Sequence, residues 1–207
     1  FQNYWVSLSQ YNEYQRDNIE IMLEPAGEKV AFALVGAISD GFWKKPVEGA
    51  KVSVRSVTPV AGEWYHSSSG KEGKFTQRGL VIDGANNYQM EVIVTAENFQ
   101  ELRKTVTVRK ENSYSLDLGK VELSKQKVNF KVEGFVKAAY SRETPIQGAK
   151  VALSLIAPLH APLSVNLHSE PSGNFSHSGD ILKGIPYRVR FQIEKEGFEK
   201  ETYLYEL

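Results

Sequence analysis

Four histidines, His66, His160, His168 and His177, are the side chains of this chain best suited to proton transfer or metal ligation. His160 and His168 are eight apart (168 − 160 = 8), so an unbroken strand would place them on one face. Pro162 interrupts such a strand. Zinc or copper would also need a third or fourth converging donor, for which only Glu170 and His177 lie near. The histidines are therefore expected on solvated strands and loops, with no metal and no cofactor. Serine chemistry is no better supported. Ser67-Ser68-Ser69 reads as a flexible tip, and no Ser sits in a Gly-x-Ser-x-Gly elbow. Glu143, Glu170 and Asp180 are scattered and lack the pairing that glycoside hydrolysis requires. Asp83-Gly84-Ala85-Asn86-Asn87 lacks the alternating oxygens and closing Glu of a calcium loop and reads as an ordinary turn. Arg103, Lys104, Arg109 and Lys110 form a basic stretch bracketed by Glu101 and Glu111, as on an edge strand blunted by charge. The chain is not expected to be an enzyme. What remains is a set of aromatic planes, Phe42-Trp43 and Trp64-Tyr65, able to stack on a sugar or anchor a protein partner.

The elements that position these residues follow from an internal repeat. Pro46-Val-Glu-Gly-Ala-Lys-Val52 returns as Pro145-Ile-Gln-Gly-Ala-Lys-Val151, an offset of 145 − 46 = 99. Gly73-Lys-Phe75 returns as Gly173-Asn-Phe175, Tyr88 as Tyr187, and Asn98-Phe99 as Gly197-Phe198. A period of this length marks one folding unit that has been duplicated. Within each copy, apolar residues alternate at period two: Val30, Phe32, Leu34; Val52, Val54; Met90, Val92, Val94. The second copy answers with Val128, Phe130, Val132; Val151, Leu153, Leu155; Tyr187, Val189, Phe191, Ile193. Gly, Pro, Ser and Asn clusters separate these runs, and no capped helical pattern of ten residues exists. Short strands at this spacing predict an all-β protein of two tandem seven-strand sandwiches. The predicted units are 29–126 and 127–207, the second without its terminal strand. Residues 1–28 are expected to be the terminal strand segment of a preceding repeat, because Phe1-Gln2 matches Phe99-Gln100 and Asn18-Ile-Glu-Ile-Met-Leu-Glu24 resembles a closing strand. Residues 17–24 are expected either to complete a repeat that is absent here or to pair with a neighbouring sandwich.

The period also sorts the aromatics. Phe75, Tyr88 and Phe99 recur as Phe175, Tyr187 and Phe198, as core residues should. Trp43 and Trp64 do not recur; the second copy has Ala138-Ala139-Tyr140 where the first has its aromatic loop. Phe42, Trp43, Trp64 and Tyr65 are thus the candidate binding residues. The competing reading is that Trp43 packs at the seam between repeats and fixes their angle.

Twenty-five basic and twenty-five acidic residues cancel, so no bulk field draws the chain to nucleic acid or anionic lipid. No apolar run is long enough for a membrane span. The absence of Cys excludes disulfides and thiolate metal sites and leaves the compartment open. A start at Phe1, with neither initiator Met nor signal peptide, is read as a mature segment or excised fragment. Asn174-Phe175-Ser176 is a formal glycosylation sequon, relevant only in a eukaryotic source.

In order and twice over, Gly36, Pro46–Val52, Gly73-Lys-Phe75, Tyr88, Asn98-Phe99 and Gly134, Pro145–Val151, Gly173-Asn-Phe175, Tyr187, Gly197-Phe198 resemble the carboxypeptidase regulatory-like domain, a transthyretin-like (prealbumin-like) sandwich. Asn98 for Gly and the Phe42-Trp43 insertion depart from that pattern. The resemblance implies a spacer, docking or binding module of a larger extracytoplasmic protein, at a bacterial cell surface or in the periplasm, with a secretory-pathway lumen as the alternative. Its partners would be another protein or neighbouring repeats, or, through the tryptophans, a glycan. Hydroxyisourate hydrolases share the fold but use His and Arg with a C-terminal Tyr-Arg-Gly-Ser. Here Tyr187-Arg188-Val189-Arg190 lies inside a predicted strand, which makes that activity a remote alternative.

Overall fold

The period-two runs fold as the strands they predict. The computed structural model describes residues 27–159 and 163–207, without the side chains of 141–143. The segment 17–24 and His160 lie outside the described residues. In the first sandwich the strands are β1 (Lys29–Asp40), β2 (Lys51–Thr58), β3 (Tyr65–Ser68), β4 (Lys74–Ile82), β5 (Asn87–Thr95), β6 (Leu102–Arg109) and β7 (Ser115–Leu123). They form a three-stranded sheet, β4-β1-β7, facing a four-stranded one, β3-β2-β5-β6. All pairings are antiparallel except β1 with β7, which run parallel from Ala33–Ser115 to Asp40–Leu123. Inward faces close a single core in which Phe32, Leu34, Ile38, Val52, Val54 and Met90 are all buried. Of the basic stretch, Arg103, Lys104 and Arg109 lie on β6, an edge strand, as expected, while Lys110 falls in the turn that follows it.

The second sandwich repeats the plan with β8 (Lys127–Phe135), β9 (Lys137–Ala138), β10 (Ser141–Pro145), β11 (Lys150–Ala157), β12 (Leu163–His168), β13 (Asn174–Leu182), β14 (Arg188–Glu194) and β15 (Glu201–Glu206). Here a four-stranded sheet, β12-β11-β14-β15, faces only the pair β13-β8, with β9 and β10 forming a small ribbon. Its core holds Val151, Leu153, Phe175, Tyr187, Val189 and Phe191. No strand among the described residues takes the place that β7 holds in the first copy.

Two recurring details fix the turns. Gly73 and Gly173 have φ of +72° and +80°, and a Cβ there would meet the carbonyl oxygens of Ile38 and Val136 at 2.2 and 2.6 Å. Only glycine fits. Ser69 is not part of a flexible tip, contrary to expectation. Ser67 and Ser68 lie in β3, and Ser69 is buried, its Oγ accepting from Ala50 N at 2.9 Å and donating to Val47 O at 2.6 Å. Ser169 does the same between Ala149 N (2.9 Å) and Ile146 O (2.5 Å). These hydroxyls satisfy two backbone groups at the strand entrance, where an unmade bond is expensive.

The recurring aromatics are core residues with one exception. Phe75, Tyr88, Phe99, Phe175 and Tyr187 are buried, but Phe198 is 42% exposed. Phe99 is covered by Lys125, with which it forms a backbone bridge; no described residue covers Phe198 in that way.

Candidate functional site

The loop that carries Phe42 and Trp43 grows from the last residue of β1. The Asp40 carboxylate accepts hydrogen bonds from Phe42 N at 2.7 Å and Trp43 N at 3.2 Å, which fixes the turn. Gly41 N donates to Leu123 O at 2.8 Å, tying the turn to the end of β7. The other oxygen of Asp40 meets Lys125 Nζ at 3.2 Å, with the two side chains only 7% and 9% exposed. That ammonium also lies 4.0 Å from the Phe99 ring centroid. One carboxylate therefore shapes the aromatic turn and neutralises a buried cation.

Lys125 belongs to the short link between β7 and β8, so this cluster sits where the two sandwiches join. Gln126 N donates to Asn98 O at 2.9 Å, and Lys183 N donates to Gln126 O at 2.8 Å. Asn98 has a φ of +65°, a region asparagine tolerates, so it stands in for the glycine of the pattern, as Gly197 does at φ +82° in the second copy. Phe42 packs against the core of the second sandwich. Trp43 stands edge-on to Phe42, ring centroids 4.7 Å apart, and is 39% exposed. The seam is thus sealed by Phe42, with Trp43 beside it and partly open to solvent.

The other two candidates go elsewhere. Trp64 lies under the Arg55 guanidinium, 4.5 Å from its centroid, and Arg55 pairs with Glu91 at 2.8 Å. Tyr65 turns the opposite way and packs edge-on to Phe32 at 5.6 Å, its hydroxyl donating to Leu80 O at 3.4 Å. No ring contact joins Trp43 to Trp64 among the described residues.

His66 Nδ1 shares a 2.9 Å hydrogen bond with Ser53, and the His177 ring stands edge-on to Phe130 at 5.9 Å. No group of three metal-ligating side chains converges among the described residues. Arg188, Val189 and Arg190 lie within β14, and the Tyr187 hydroxyl accepts from Leu182 N at 2.9 Å. The Asp83-to-Asn87 segment is a turn between β4 and β5. The Lys110 ammonium holds the Asp83 carboxyl below its ordinary range through a 3.0 Å bond, with help from Gly84 N. Lys44 and Lys120 do the same for Glu122.

Sequence reasoning found Phe42 and Trp43 but not Asp40 and Lys125, which organise them. The available signal was a break in the period: Asp40 corresponds to Ala138, so the charge is specific to the first copy, like the tryptophan beside it.

No family model matches the chain, and no curated protein does. Among solved structures, the TIE protein of Bacillus anthracis is similar at 10% identity and a TM-score of 0.38, covering 86% of this chain and 32% of that one. The 3-chlorocatechol 1,2-dioxygenase of Rhodococcus opacus is similar at 13% identity and a TM-score of 0.35, over 49% and 61% of the two chains. A streptococcal ancillary pilin is similar at 11% identity and a TM-score of 0.34, over 85% and 59%. The chain spans less than two thirds of each of these three structures. Likeness at this level assigns neither an activity nor a partner.

Proposed function

We infer that the chain is a non-catalytic structural module of a larger extracytoplasmic, multi-repeat protein, with residues 29–126 and 127–207 acting as successive units of a stiff spacer or docking array. Residues 1–28 would belong to a preceding repeat. The observation that supports this reading best is the junction. A buried ion pair, a cation over an aromatic ring and Phe42 against the second core occupy the join, where a flexible linker would carry small and polar residues. The chain lacks Cys, so two spin labels can be introduced alone, for example at Thr107 on β6 and Asn166 on β12, both exposed. A pulsed dipolar measurement should give one narrow distance. A broad distribution, as from beads on a string, would overturn the stiff-spacer reading.

The partial exposure of Trp43 favours a second reading, a carbohydrate-binding module that uses this exposed Trp of the first repeat, with Trp64 and Tyr65 apart from it. A glycan panel with tryptophan fluorescence tests it. Protection of Trp43 from iodide by one sugar class, abolished in Trp43→Ala, would establish the module; indifference to every glycan would remove it.

A further inference from the structure

Glu91 and Arg190 hold the same place in the two copies (190 − 91 = 99). Each points away from its core, between buried neighbours: Met90 and Val92 on β5, Val189 and Phe191 on β14. Their sheets, β3-β2-β5-β6 and β12-β11-β14-β15, carry corresponding strands in one order, so the outer faces correspond too. In the first copy β7 lies in the other sheet, and this face owes nothing to it. There the charge is answered. Glu91 receives Arg55 Nη2 at 2.8 Å from β2 and Arg103 Nη1 at 3.4 Å from β6. In the second copy the sign is reversed and the answer is missing. Arg55 has become Ser154, and Arg103 has become Thr202, each at an offset of 99. The cross-strand neighbours of Arg190 are Ser154 and Leu204, both uncharged. Two acids of the same face are already engaged, Glu194 by Lys200 at 2.5 Å and Glu206 by Arg188 at 3.3 Å. Among the described residues Arg190 therefore has no carboxylate, and its Nε is buried without a hydrogen bond. A half-buried guanidinium in that state is poorly solvated and lacks its usual partner.

We propose that Arg190 anchors a docking site for the carboxylate of an Asp or Glu on a partner protein, with the outer face of β11, β14 and β15 seating the residues around that acid. The planar fork of a guanidinium suits a carboxylate, which can take two parallel N–H bonds from it. The surroundings select a protein acid over an acidic sugar. Ala152, Ser154 and Gln192 make a flat floor, and Leu204 beside them is 59% exposed. An arginine among small and apolar side chains is the make-up of a protein interface, where Arg is enriched and Lys and Glu are depleted. A sugar ring would need an aromatic plane. The described Tyr203 and Tyr205 of β15 fall on the Phe191 side, toward the core, and no Phe, Tyr or Trp alternates outward from these four strands. This deepens the docking part of the structural-module reading by giving it a face and a partner chemistry. It rests on Arg190 and not on the stiffness of the junction, so either can fail alone.

The test titrates the full chain with the peptide acetyl-Ala-Glu-Ala-amide and its neutral twin acetyl-Ala-Gln-Ala-amide, following arginine Nε–H and backbone amide resonances by NMR. The Glu peptide should shift the Arg190 Nε–H saturably and bind at least about tenfold tighter than the Gln peptide. Arg190→Gln should abolish that difference, whereas Arg78→Gln, an exposed arginine of β4, should keep it. Ser154→Glu installs an acid where the first copy has Arg55, directly across from Arg190, and should abolish the difference by filling the site from within. Equal affinity for the two peptides, or a difference that survives Arg190→Gln or Ser154→Glu, would overturn the site. Glucuronate that displaces the Glu peptide at lower concentration than the peptide itself would overturn a protein acid as the ligand.

Discussion

Replacing Lys125 with methionine should destabilise the chain by about 4 kcal/mol. The two side chains of the Asp40–Lys125 pair are 7% and 9% exposed, so solvent does little to screen or replace either. Deleting one partner of such a pair generally costs about 3–5 kcal/mol, because the survivor stays buried and charged. Asp40 would keep its hydrogen bonds from Phe42 N at 2.7 Å and Trp43 N at 3.2 Å, which puts the electrostatic part near about 3 kcal/mol. Losing the cation above Phe99 adds about 1 kcal/mol. Asp40→Ala should be worse, about 5 kcal/mol, since it strands the ammonium and frees both turn amides. The double variant should cost less than the sum of the two, because no lone charge remains. Urea unfolding followed by circular dichroism measures all three, with an unchanged slope as the sign that only stability moved. A loss under about 1 kcal/mol for Lys125→Met would refute the reasoning and make the pair no more than a screened surface bridge.

Gly73→Ala should destabilise the first sandwich by about 3 kcal/mol, from left-handed strain plus the Ile38 carbonyl at 2.2 Å, whereas Gly49→Ala, at φ +73° with nothing within 4 Å, should cost only about 1 kcal/mol. Thermal melting separates the two. Ser69→Ala and Ser169→Ala should each cost about 2 kcal/mol in their own sandwich, read by hydrogen exchange at Ala50 and Ala149, because a buried amide and carbonyl lose their partner. Asp83, with its folded pKa held down by Lys110, adds stability that is present above the ordinary Asp value of about 3.9 and is lost as pH falls through the lower folded value. Carboxyl titration by NMR should find it below that value, and Lys110→Met should move it up.

Much of the architecture was legible because alternation is local. The letters around Phe32 and Leu34 specify a strand with one buried face without reference to anything distant. The same letters around Phe130 and Val132 make the same strand but leave it half-wet, since burial there depends on a seventh strand that no local pattern encodes. Trp64 and Tyr65 are adjacent, so alternation alone sends them to opposite faces; grouping them as one aromatic site overlooked that. Asp40 and Lys125 are 125 − 40 = 85 residues apart and meet only because β7 lies parallel to β1. Ser69 and Ser169 did repeat, but what a hydroxyl brackets is decided by the backbone around it.

The parallel pairing of β1 with β7 has a mechanical consequence. Tension applied along the chain enters the first sandwich at Lys29 and leaves it at Leu123, at opposite ends of two neighbouring strands. The load falls in shear across the whole ladder from Ala33–Ser115 to Asp40–Leu123, so its bonds must fail together instead of peeling one at a time. The second sandwich shows no such clamp among its described strands, so the shear-loaded ladder described here belongs to the first.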